Sequence, residues 1–336
     1  MCILFLSVLN STKYPLLFCS NRDEATNRAT VIARPGNFNG GILAGRDLKR
    51  GGTWLGMTTG STQRVAIVLN VAPSESSLAG APSRGQLPLQ WLRSPDITDP
   101  REFMAQLLES EAGTQRQYSG FSLIIASIGP NEVPTVVWGT NSYGQERGKT
   151  MMHVCSEKGI YAFTNNGRMY RGPTQSTDGV QLYWSKSRRG WHIMQQCLKR
   201  AEVLTSPTNE TTASTELIDH LLEDLLHCTA INDEFSNTTD TQGNEQEVCW
   251  STHVSDKRKL LAPAEVPIFL EWSEYATRTS TIVMYNQDDS VLEYISKEYN
   301  GTNETRHQYN GKDIACSQKG GGGTKEEKLH WEPQKL

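Results

Sequence analysis

The 336-residue chain has no CxxC pair, no apolar run long enough to cross a bilayer and no stripe of basic residues. Each gap excludes a class of protein. The seven cysteines, at 2, 19, 155, 197, 228, 249 and 316, are odd in number and irregularly spaced. That pattern argues against zinc ribbons and thioredoxin-type redox motifs and for free thiols in a reducing compartment. A membrane helix needs about 20 consecutive apolar residues. The apolar start, MCILFLSVLN, has no basic leader and ends by Leu9, so neither a transmembrane segment nor a secretory signal is expected. The chain therefore reads as soluble and cytoplasmic, and its Asn-x-Ser/Thr sequons at 10, 209, 237, 300 and 303 read as by-products of composition. A net charge of −4 without clustered Lys and Arg argues against nucleic acid as a partner. The one short basic knot, Lys186, Arg188 and Arg189, reads as a solvated helix end. The glycine-dense stretch Asp47–Gly56 (DLKRGGTWLG) lacks the spacing of a nucleotide-binding loop.

Apolar residues make up 37% of the chain and charged residues 21%, enough for a core but unevenly spread. Segments 205–214 and 237–247 are polar and read as loops. From 300 to 336 large apolar residues are sparse and Gly320–Gly323 cannot pack, so this end reads as a disordered tail. Residues 1–299 read as one domain with a helical insertion at about 181–248. Short runs rich in β-branched and aromatic residues predict strands over 3–9, 14–20, 42–44, 53–58, 65–70, 121–127, 135–139, 160–164, 266–272, 279–285 and 291–294. Apolar spacings of three and four predict helices over 86–92, 101–109, 191–204 and 215–226. Ser214 or Thr215 is placed to cap the last of these, whose Leu217, Leu221, Leu222 and Leu225 form one face. Strands, then helices, then strands is an α+β order, which two mostly antiparallel sheets covered by helices would satisfy.

Cys2 combines a thiol with, once Met1 is trimmed, a free α-amine that can act as its general base. The bland alternative is a small hydrophobe opening a strand. Strands 3–9 and 14–20 are joined by Asn10-Ser11-Thr12-Lys13, a hairpin that returns Ser20-Asn21-Arg22-Asp23-Glu24 to the chain's start. Arg22 could then favour the Cys2 thiolate and Asp23 could hold the amine; alternatively the pair is a polar turn. Asn70 and Asn165 each follow an apolar run. There an amide can donate to a developing oxyanion or simply form a turn. Gly51-Gly52 can take positive φ, and Trp54 is either pocket wall or core.

Taken together, Met1-Cys2-Ile3, SNRDE at 20–24, Ala44-Gly45-Arg46-Asp47, GGTWLG at 51–56, SRG at 83–85, YSGF at 118–121, TNNG at 164–167 and YATRTST at 275–281 resemble the NRDE family, also called the Transport and Golgi organisation 2 family. The resemblance runs over about residues 1–296. It is similar at greater distance to choloylglycine hydrolases and penicillin V acylases, which are N-terminal-nucleophile hydrolases. That likeness implies an αββα sandwich and an amide- or thioester-cleaving site of Cys2, Arg22, Asp23, Asn70 and Asn165. Here Arg22 and Asp23 are adjacent, where those cousins separate them. The family further implies roles in Golgi organisation, protein secretion, lipid metabolism and haem movement, with Golgi or mitochondrial association. Three readings follow: a cysteine hydrolase needing no cofactor or metal and acting on an acyl-amide substrate; a non-catalytic carrier of a small amphiphilic ligand, with haem or an acyl chain as cargo; and a scaffold of the secretory pathway.

Overall fold

A computed structural model describes residues 2–58, 63–71, 80–94, 96–112, 117–129, 132–172, 185–204, 210–228, 268–270, 274–300 and 303–310. Two seven-stranded antiparallel sheets face each other. The first has the order β11-β10-β1-β2-β12-β13-β14, and the second runs β3 to β9 in sequence order. The strands of the first sheet are β1 (Ile3–Val8), β2 (Leu16–Ala25), β10 (Gly159–Thr164), β11 (Met169–Tyr170), β12 (Tyr275–Asn286), β13 (Val291–Asn300) and β14 (Asn303–Asn310). Those of the second are β3 (Thr30–Phe38), β4 (Ile42–Asp47), β5 (Leu55–Thr58), β6 (Gln63–Asn70), β7 (Phe121–Ile128), β8 (Thr135–Thr140) and β9 (Met151–Val154).

The central strand β1 shows how sequence makes the layers. All six of its residues are buried, so both faces are covered. Leu4, Leu6 and Val8 point between the sheets, where they meet Leu43, Leu55, Met57 and Ile67. Ile3 and Phe5 point the other way, onto Ile193, Met194, Leu221 and Leu225, as the two-residue period of a strand requires. Helices α1 (Gln86–Leu92) and α2 (Pro100–Ser110) cover the outer face of the second sheet through Leu87, Trp91, Phe103 and Met104. Helices α3 (Ser185–Leu204) and α4 (Glu210–His220), with a π-helical turn at Leu221–Leu226, cover the first. The result is the α+β sandwich of antiparallel sheets that the sequence predicts, layered helix–sheet–sheet–helix.

Helix α4 starts at Glu210, so residues 214 and 215 lie inside it instead of capping it. Its apolar face is as expected: Leu217, Leu221, Leu222 and Leu225 are buried. Residues 268–270 form no strand; they are held by Phe269 N donating to the Cys228 carbonyl, by Thr277 N donating to the Leu270 carbonyl and by Leu270 N donating to Thr277 Oγ1. The polar stretch 303–310 is not tail but strand β14, paired along its length with β13. Residues 311–336 and the polar loop 237–247 lie outside the described residues. Strand β3, absent from the expected strands, carries Pro35-Gly36. It sits at a sheet edge with shifted register, where a missing N–H is tolerated.

Candidate active site

The antiparallel register gathers the candidate residues. Ile3 lies opposite Asn21 of β2 on one side and Thr164 of β10 on the other. Cys2, one step earlier, therefore has Arg22 and Asn165 as its flanking positions, with Asp23 next along. The start of β1 opens on a cavity of about 370 Å³ lined by Cys2, Arg22, Asp23, Trp54, Asn70 and Arg84. Asn70 comes from the facing sheet, at the end of β6. All five residues singled out from the sequence thus converge at one end of the sandwich.

Glycines build the cavity wall. A Cβ on Gly45 would lie 2.4 Å from the Trp54 ring, so the glycine of Gly45-Arg46-Asp47 makes room for that indole. A Cβ on Gly52 would lie 2.5 Å from the Gly85 carbonyl carbon. The GGTWLG and SRG loops therefore touch backbone to backbone, with Thr53 N donating to the Gly85 carbonyl at 3.0 Å. Positive φ is needed at Gly51 (+73°); at Gly52 it is space that is needed. Trp54 is pocket wall as well as a partner of the inter-sheet core. The Arg22 guanidinium lies 4.3 Å from its ring centre, a cation–π contact worth about 1–2 kcal/mol when desolvated.

Each site residue is held by identifiable partners. Arg22 is 5% exposed and sits 3.6 Å from Glu24. Burial lowers its pKa, while Cys2 and Glu24 act to raise it. Asp23 Oδ1 accepts from Thr277 Oγ1 at 2.8 Å, and the Asp23 carbonyl accepts from the Tyr275 hydroxyl at 2.8 Å. The Cys2 thiol also donates to that carbonyl, at 3.8 Å. Burial pushes the Cys2 thiol up and the Asp23 carboxylate adds to this, whereas Arg22 pulls it down. Arg22 does not dominate, contrary to the sequence-based expectation of a ready thiolate. Asn21 is structural: fully buried, it donates to the Leu226 and Ile268 carbonyls at 2.7 and 3.0 Å and accepts from Ser280 Oγ at 2.7 Å.

The two asparagines differ. Asn165 Nδ2 donates to the Asn70 carbonyl, and only the NH2 end of an amide can face a carbonyl, which fixes its orientation. The Asn70 side chain is exposed on the cavity and makes no hydrogen bond to a described residue. Of the two, Asn70 is the amide available to an incoming oxygen. Arg84 donates to the Gly120 carbonyl at 2.9 Å and is acted on by the charge of Cys2. Arg28, Lys49 and Arg50 join the lining against Glu24 and Asp47, so the wall carries more cations than anions. Arg28 is already paired with Asp47 at 2.6 Å.

Lys186 and Arg189 are fully buried, which overturns the reading of that knot as a solvated helix end. Burial lowers the pKa of Lys186 below the ordinary lysine value, while the charges of Asp23 and Cys2 act to raise it. Nothing in the local sequence marks these side chains as internal. The one signal is i,i+3 spacing with the apolar face of α3. Thr277 and Tyr275 were legible only as parts of a motif, not as the partners of Asp23. Among the described residues no group of His, Cys, Asp or Glu could hold a metal ion, and no helix is long and apolar enough to cross a membrane.

Compared with known proteins, residues 1–300 match the family model described as Transport and Golgi organisation 2. A Transport and Golgi organization protein 2 homolog of Bos taurus is 25% identical over 314 residues, covering 91% of this chain and 96% of the bovine protein. Homologs from Mus musculus and Homo sapiens are each 24% identical over 298 residues, covering 87% of this chain and 91% of each relative.

Proposed function

The chain belongs to the Transport and Golgi organisation 2 family, and from that premise we propose that it serves transport and Golgi organisation through a cysteine acyl-transfer site centred on Cys2. The observation carrying this reading is the convergence of Cys2, Arg22, Asp23 and an Asn70 amide that makes no hydrogen bond to a described residue on one polar cavity. Removal of Met1 leaves the Cys2 α-amine beside its own thiol. The thiol proton passes to that amine as Sγ attacks the carbonyl carbon of an acyl amide or thioester. The oxyanion is met by the Asn70 side chain, and Asn165 acts as a positioning residue through the Asn70 carbonyl. The C–N or C–S bond then breaks, the leaving group takes the proton from the α-ammonium, and water hydrolyses the acyl-Cys2 thioester. Asp23, held by Thr277, anchors the ammonium. The cationic lining favours a donor with a negatively charged portion over a wholly apolar one.

The carrier reading uses the same cavity for haem or an acyl chain without turnover, and the scaffold reading leaves it idle. In the cell the site would work in the cytoplasm, at the Golgi or mitochondrial surface. The test is release of acid from a panel of acyl amides and thioesters by wild type, Cys2→Ala and Asn70→Ala. The proposal expects turnover lost in the first variant and reduced about 10²–10³-fold in the second. Binding without release by all three proteins would favour the carrier.

A further inference from the structure

A charge inside a helix–sheet interface must be matched by another or it is expelled as a proton, so fully buried Lys186 needs explaining. Two contacts fix the start of α3. A Cβ on Gly190 would fall 1.9 Å from the Phe5 ring, so the helix backbone rests directly on β1. One residue on, Trp191 Nε1 donates to the Ile160 carbonyl of β10 at 2.8 Å. Lys186 lies four residues before Gly190, on the same helix face and one turn away. A turn is about 5.4 Å, which is close to two strand residues. Along β1 that step from Phe5 can reach the level of Ile3 and the chain's start.

Strand alternation orders the groups there. Along β2, Leu17, Cys19 and Asn21 face the helices, which puts Asp23 on that side, while Phe18 faces the other sheet and Arg22 stacks on Trp54. Cys2 packs with the inter-sheet core and lines the cavity. Asp23 thus borders the cavity while strand alternation turns its side chain toward the helices, the side on which the one-turn step back from Gly190 sets Lys186. The charged and titratable groups around Cys2 are Arg22, Asp23 and Glu24 of β2, Arg84, Tyr275 of β12, and Lys186 with its like-charged neighbour Arg189.

We propose that Lys186 is a positioning residue of the Cys2 site, whose buried ammonium balances Asp23 and biases the mature Cys2 toward its deprotonated, attacking form. Without it, less positive charge balances Asp23 on the helix side, and a less balanced carboxylate opposes both loss of the thiol proton and a neutral α-amine. The inference rests on the acyl-transfer reading, yet its readout is independent of turnover.

The measurement is the pH profile of iodoacetamide labelling at Cys2 in the full chain, read on the N-terminal peptide by mass spectrometry. Lys186→Met is expected to move the midpoint up by about one pH unit, and Lys186→Arg to restore it. Should Lys186→Met fail to fold, Asp23→Asn is compared with Asp23→Asn/Lys186→Met, which leaves neither charge unpaired. The double variant is then expected about one unit above the single. Coincident profiles within either comparison would overturn the proposal. A shifted profile in a protein that never forms an acyl adduct would sink the catalytic reading and leave the role of Lys186 standing; acylation with coincident profiles would do the reverse.

Discussion

Replacing Gly52 by alanine tests the cavity wall at its tightest point. The new Cβ would lie 2.5, 2.6 and 2.7 Å from the carbonyl carbon, oxygen and Cα of Gly85. Carbon–carbon contacts settle at about 3.5–4.0 Å, so the two loops must part by about 1 Å. All three contacts are backbone atoms, and no side chain can swing away to absorb the clash. Separation also stretches the 3.0 Å bond from Thr53 N to the Gly85 carbonyl beyond hydrogen-bonding range. Overpacking of this kind costs about 1–3 kcal/mol and a lost internal hydrogen bond about 1 kcal/mol, so the total is about 2–4 kcal/mol. Gly51→Ala is the control. Its φ of +73° strains an alanine, but nothing lies within 4 Å, so the cost is about 1–2 kcal/mol. Urea unfolding measures both, with an unchanged slope confirming that only the native state is affected. A Gly52→Ala protein as stable as the Gly51→Ala protein would refute the backbone-contact account of GGTWLG and SRG.

Other perturbations follow from the same geometry. Arg22→Ala removes the stack on Trp54 as well as a cation from Cys2, so it should lower stability by about 1–2 kcal/mol and slow Cys2 labelling together; a change in only one of the two would contradict the dual placement. Thr277→Val deprives Asp23 Oδ1 and Leu270 N of their shared partner and should cost about 1–3 kcal/mol in chemical unfolding, whereas a neutral result would show that neither bond matters. Glu298 is raised to about 7 by burial, against ordinary carboxylate behaviour. A folded value above the unfolded one means the native state holds its proton longer, so this contribution is complete below about pH 4.5 and is lost as pH rises through about 7. Glu298→Gln should therefore raise the melting midpoint at pH 8 and leave it unchanged at pH 4; an equal shift at both would remove Glu298 as the cause. Deleting 301–336 strips β14 from β13 along its full pairing and should destabilise the protein, which wild-type melting of the truncated chain would disprove.

The sandwich was legible because its central strands are apolar on both faces and their hairpins are short. β1, β6 and β7 stand within two residues of their expected ends. β14 was not legible, since an edge strand covered on one face needs few apolar residues: NETRHQYN has the composition of a tail, yet His307 is buried and Tyr309 packs on the core. Cys2, Arg22 and Asp23 could be gathered from hairpin geometry alone, because antiparallel register depends only on where the turn falls. Asn70 and Asn165 needed the family resemblance, and their unequal situations needed the facing sheet. Lys186 escaped because a charged residue in a basic knot reads as solvent-facing; its burial follows from Gly190 seating the helix on Phe5, a contact between positions 185 residues apart.

The central claim is that Cys2, freed of Met1, attacks a carbonyl carbon. Intact mass of the full chain, taken during incubation with acyl amides and thioesters that carry an anionic group, reads both parts at once. The account predicts a chain lacking Met1 that gains one acyl group, located on Cys2 by peptide mapping, absent from Cys2→Ala and lost again with time. A chain that retains Met1, or one that binds the same compounds and never gains the acyl mass, would contradict it.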